Sequence, residues 1–160
     1  MNLKLQEELF HVLEERVREI KMETNRVPGG GSIQVGDTLR LLVPINDEGD
    51  PVLMELMVVK LAEDVDMLQF FTTMLTDLDE KQYGRVHQAL EEWNIGCPVG
   101  SFGVYLEQRQ LYHKYGALYF EEQEQDVQKM ADYAIDILIT LYETLSAHYP
   151  RVVRCALGKA

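Results

Sequence analysis

Side chains able to do chemistry are thinly spread along the chain. His11, His87, His113 and His148 stand far apart, and neither they nor Cys97 and Cys155 have a second ligand at the short spacing that a metal-ligand pair needs. His87 falls on the apolar face of an expected helix. A neutral histidine with one hydrogen bond is the usual occupant of such a place, and a general base is the other role open to it. No serine or cysteine neighbours His87 in sequence to act as its nucleophile. Asn46, Glu48 and Asp50 have the alternate spacing that opens a calcium loop. Pro51 stands where that loop requires glycine and Met57 where it requires its bidentate acid, so a solvated turn accounts for the acids. Gly96, Gly100 and Gly103 lie between a helix and a strand, whereas phosphate cradles lie between a strand and a helix N-terminus; they read as a turn. Glu121, Glu122, Glu124 and Asp126 sit at the start of the last expected helix, where negative charge caps the positive helix end. These patterns name no catalytic residue, no metal and no cofactor.

The elements that must position these groups follow from composition and periodicity. Fifteen Lys and Arg against 27 Asp and Glu in 160 residues leave a net charge of −12, which repels a phosphate backbone. No Lys/Arg cluster appears along the sequence to oppose that sign, so nucleic acid is not an expected partner. With 46% apolar residues and five prolines, residues 1–160 read as a single globular domain. Two distant cysteines suit a reduced, cytoplasmic setting. No apolar run approaches the length of about 18 residues that a membrane span requires, and Glu7, Glu8, Glu14 and Glu15 argue against a cleaved leader.

Leu5, Leu9, Val12, Leu13, Val17 and Ile20 form one helical stripe, predicting a helix over residues 3–24. Arg16 projects into that stripe with two outcomes open: a partner carboxylate, or snorkelling to water, which needs no partner. Residues 28–32, Pro-Gly-Gly-Gly-Ser, read as a connector. Alternation at Leu39, Leu41, Val43 and Ile45, then a second run from Val52, predicts a hairpin, and residues 67–75 a third strand. Asp77 and Glu80 read as a capping pair for a helix marked by Tyr83, Val86, Leu90 and Trp93 and running to about Asn94. Strands are expected over about residues 102–106 and 115–121, then a long helix from Asp126 to Tyr149, before Pro150. The order α-β-β-β-α-β-β-α predicts an α+β domain, an antiparallel sheet covered by helices.

Apolar surplus is the unusual feature. With Val104, Leu106, Leu118 and Phe120 facing the helices, alternation sends Tyr105, Tyr115 and Tyr119 to the other face, joined by Phe71, Met57 and Val59. Such a face suits recognition, and equally a second layer packed from the same chain. The last helix, widened by Ile135 and Ile139, carries more apolar arc than one sheet can bury, which self-association would cover.

Glu92-Trp93-Asn94 closing a helix, a Gly/Pro turn, strands over 102–107 and 115–121, and a long helix ending His148-Tyr149-Pro150 together resemble the YbjN-like family, whose fold is shared with type III secretion chaperones. The similarity covers about residues 80–155. It implies a small, acidic, homodimeric α+β protein that binds another polypeptide and has no enzymatic activity. The expectation is therefore a cytoplasmic polypeptide-binding homodimer, with Phe71, Tyr105, Tyr115 and Tyr119 at the partner and Ile135 and Ile139 at the dimer contact. The alternative is a small-molecule sensor or enzyme with a pocket between the second helix and the sheet, in which His87 titrates. A subunit whose apolar surface is wholly consumed in a stable oligomer is a third possibility.

Overall fold

In the computed structural model, which describes residues 1–29, 36–45, 51–120 and 126–159, the first stripe forms helix α1, Leu3–Glu19. The Asn2 side chain caps it by accepting from Leu5 N–H at 2.9 Å, and Leu9, Phe10, Leu13 and Val17 are buried. The helix stops short of residue 24 because Lys21 takes a left-handed φ of 61°, with Met22 N–H turned back to the Val17 carbonyl at 3.1 Å. A strand unread in the sequence follows, β1, Glu23–Val27. Only one of its five residues is aliphatic, which is why alternation did not mark it. Arg26 holds it beneath α1 through a two-pronged ion pair to Glu14, at 3.1 and 2.9 Å.

Strands β2 (Thr38–Val43), β3 (Val52–Ala62) and β4 (Val65–Leu75) continue as an antiparallel meander. A 3-10 turn, Glu80–Gln82, leads into α2, Tyr83–Gly96. The 3-10 turn is capped by Asp79, accepting from Lys81 N–H at 3.0 Å, and not by Asp77, which adopts a positive φ. Strands β5 (Ser101–Tyr105) and β6 (Gln110–Phe120) form the second hairpin, and α3, Val127–Ala156, closes the fold. Asp126 caps α3 by accepting from Gln128 and Lys129 N–H. The helix passes through Pro150, since Val152 and Ala156 beyond it are buried and hold the last turns in place. The expected turn at 46–50, the acids at 121–124 and the glycines at 30 and 31 lie outside the described residues.

The element order is α-β-β-β-β-α-β-β-α, an α+β arrangement with one six-stranded antiparallel sheet ordered β1-β2-β3-β4-β6-β5. All three helices pack on one face. Leu39, Leu41, Met54, Leu56, Leu68 and Phe70 supply its centre, and α3 lays Ala134, Leu138, Leu141 and Leu145 over them. Arg16 does not snorkel; it pairs with Asp132 of α3 and donates to Gln128 Oε1 at 2.8 Å, tying α1 to α3.

The facing of β6 is opposite to the expected one. Leu111, His113, Ala117 and Tyr119 point to the helices, whereas Leu118 and Phe120 are 43% and 45% exposed on the other face. Both parities of β6 carry apolar residues, so alternation alone has no preferred phase, and a one-residue shift inverts every assignment. Tyr119 occupies the inner face because its phenol finds a buried acceptor, donating to the Met130 carbonyl at 2.9 Å. Tyr119→Phe should therefore cost about 1 kcal/mol, and Tyr119→Asp, which buries a carboxylate, more than about 4 kcal/mol, as read from urea unfolding midpoints. Equal tolerance of both substitutions would contradict this placement.

Candidate functional site: the uncovered sheet face

Inverting β6 reshapes the face that the helices leave open. Leu53, Met57 and Val59 of β3 and Met67 and Phe71 of β4 point outward with Tyr112, Leu118 and Tyr105 of β6 and β5. Among the described residues, no helix packs on them. Phe71, Tyr112 and Tyr105 form a three-membered cluster of stacked rings, in which Phe71 and Tyr105 also meet directly, with centroids 6.0 Å apart. The Phe71–Tyr112 centroids are 5.1 Å apart and the Tyr112–Tyr105 centroids 4.5 Å, with interplanar angles of 25° and 26°. Offset stacking of this kind fixes ring orientation beyond what area burial supplies.

Two glycines allow these side chains to lie flat. A Cβ on Gly103 would come within 2.4 Å of the Tyr112 phenol oxygen, and one on Gly116 within 2.3 Å of Met67 Sδ. Each absent side chain leaves a shallow seat on the sheet, which a neighbouring strand fills with a large, contact-rich group. Burial, with Tyr105 adding, raises the Tyr112 phenol above its ordinary value, so this ring remains neutral. Arg40 and Glu55 pair across β2 and β3 at 2.9 Å on the same face.

Of the residues named from sequence, Phe71 and Tyr105 lie in this cluster. Tyr115 and Tyr119 do not; both point to the helix side, where Tyr115 packs tilted against Phe70 and Tyr119 meets Tyr133 edge-on. Tyr112, the third ring of the cluster, escaped the sequence reading. Its one available signal was that a Gly103-Tyr112 pairing leaves room for a ring, which requires the register to be known. Ile135 is half-buried and Ile139 is 47% exposed, both on α3 and hence in the helical layer, away from the stacked rings.

His87 is exposed and not on a buried helix face, yet it lines a concavity of about 370 Å³ with Tyr83, Leu90, Val104 and Leu106. Another histidine meets a cysteine: His113 is fully buried, with Nε2 3.6 Å from Cys97 Sγ. Nε2–H donates to the Val99 carbonyl at 2.9 Å, and the Cys97 thiol donates to the same oxygen at 3.1 Å. The nitrogen facing the sulfur therefore carries a proton and cannot accept the thiol's. Burial also raises the Cys97 thiol, so the pair holds a thiol and a neutral imidazole and lacks the ion pair of an activated nucleophile. Among the described residues, no three His, Cys, Asp or Glu side chains converge as metal ligands, and no helix is long and apolar enough to cross a membrane.

Burial lowers His113 to about 4, outweighing the Val99 hydrogen bond. Its Nδ1 is buried with no hydrogen-bond partner among the described residues. The unfolded chain then binds more protons between its ordinary pKa near 6.5 and pH 4, so stability is complete above that range and falls as pH drops through it. Lowering pH from 7 to 4.5 should remove about 2–3 kcal/mol through this group. His113→Gln should lose correspondingly less in urea unfolding at the two pH values; an identical loss would place the acid sensitivity elsewhere. No known protein family matches the chain, and no curated protein is similar to it in sequence.

Proposed function

We propose that this chain is a non-enzymatic, homodimeric, cytoplasmic polypeptide-binding protein, and that its uncovered sheet face receives an extended segment of a partner that is apolar and basic. The observation that carries the reading is the stacked cluster of Phe71, Tyr112 and Tyr105 on a face that no described helix covers. Large, flat, neutral rings with polar tips supply contact area at low entropic cost, as recognition surfaces require. The net charge of −12 favours a cationic partner and speeds its encounter. The two cysteines, left unbridged, fit the cytoplasmic part of the reading. We place the self-contact at Ile135 and Ile139 on α3, which leaves the sheet face of each protomer available.

The sheet reading is tested with an array of twelve-residue peptides. Segments alternating apolar and basic residues should bind, and the Tyr105→Ser/Tyr112→Ser variant should lose binding about tenfold or more at unchanged fold, judged by circular dichroism. Retained affinity in that variant would remove the face from consideration. For the self-contact, Ile139→Asp should bring the mass in light scattering from twice 18.5 kDa to 18.5 kDa with the helix content intact. Unchanged mass would exclude the α3 contact.

One observation favours a second reading, that of a small-molecule sensor: the largely apolar concavity beside His87. Leu90→Trp would fill it, and loss of a fragment bound by the wild type, detected by nuclear magnetic resonance, would support that role.

A further inference from the structure

Positive charge is scarce in this protein and yet collects in one place. A concavity of about 490 Å³ between α2 and the last turns of α3 is lined by Arg85, Arg151, Arg154 and Lys159, with Ala147, Pro150 and Cys155. Four of the chain's 15 cations border it, and none of the seven lining residues is acidic. They are scattered over 75 positions of sequence, from 85 to 159, which is why no basic cluster was visible there.

The gathering follows from the antiparallel packing of α2 on α3. Gln82 lies against Gly158, Glu92 pairs with Arg151, and Gly96 approaches His148, so Arg85 comes level with Arg154 and Cys155. Arg151 is held by Glu92. The side chains of Arg85, Arg154 and Lys159 form no ion pair among the described residues.

Helix electrostatics account for only part of this. Arg151 and Arg154 near the end of α3, and Lys159 beyond it, suit the partial negative charge of a helix C-terminus. Arg85 lies in the first turn of α2, a turn with no acid of its own that follows Asp79 and Glu80 of the 3-10 turn, near the positive end of the helix. A cation there, beside three others, is weakly disfavoured, because all four side chains are exposed and Arg151 is already paired with Glu92; an added anion reverses the sign. The volume is that of a small-molecule site, and Ala147, Pro150 and Cys155 offer an apolar surface for an organic group.

We propose that this groove binds a soluble phosphorylated small molecule, the arginine forks taking the phosphoryl oxygens and the Ala147-Pro150 surface the body of the ligand. Guanidinium groups match phosphate geometry with paired hydrogen bonds, and three of them around one concavity supply more donors than a carboxylate can use.

The test is calorimetric titration of the whole chain with inorganic pyrophosphate, with sulfate as control at constant ionic strength. Saturable binding to pyrophosphate is expected, weakened about tenfold by Arg85→Gln and by Arg154→Gln and unaffected by Arg18→Gln on the exposed side of α1. Without ligand, Arg85→Gln should melt no lower than the wild type, because it relieves repulsion. No saturation by about 10 mM pyrophosphate, equal affinity for sulfate, or equal affinity in the Arg85 variant would overturn the proposal. Sedimentation with phosphatidylcholine vesicles carrying phosphatidic acid, without pyrophosphate binding, would also overturn it, by moving the phosphoryl source to a lipid headgroup.

Discussion

Ten residues of α3 are buried, against the inner face of the sheet and against α1 and α2, and this seating organises everything else. Burying Leu138, Leu141 and Leu145 against a β-face contributes about 1.5–3 kcal/mol for each side chain, far more than any ion pair nearby. With α3 seated, α1 has one available flank, where Arg16 meets Asp132, and α2 has the other, where Glu92 meets Arg151. These ion pairs are partly or largely exposed and set alignment more than stability.

Placing all three helices on one side has a cost on the other. A six-stranded sheet has two faces, and the described helices cover one. The outer face is finished instead by its own side chains: Gly103 and Gly116 provide seats in which Tyr112 and Met67 lie down, and the rings of Phe71, Tyr105 and Tyr112 stack on one another. The resulting surface carries an apolar cluster beside polar groups such as Gln69, Lys114 and the Arg40–Glu55 pair. The helical layer shows the converse arrangement, since the antiparallel meeting of α2 and α3 draws cations from both into one groove of an otherwise acidic molecule.

Legibility in the sequence tracked how one-sided each segment is. The stripes of α1 and α3 were readable because polar residues separate their apolar positions. β1 was not readable, because an edge strand with one neighbour needs little apolar content, and its anchor, Arg26 to Glu14, is a tertiary pair. Phe71 and Tyr105 emerged from alternation, whereas Tyr115 and Tyr119 were assigned to the wrong face because β6 is apolar on both. His113 stood among isolated histidines, 16 residues from Cys97, and no local pattern announces that pairing.

Composition and periodicity thus determined the α+β class, the order of all elements but β1, the two outer helices and the existence of more apolar surface than one sheet face can bury. Tertiary structure alone decided which face of β6 is inside, where α3 ends, and which distant side chains share a concavity. The reason is physical: local spacing fixes how side chains are distributed about their own element, but the phase of a two-sided strand and the meeting of Arg85 with Arg154 depend on a partner element supplied by folding.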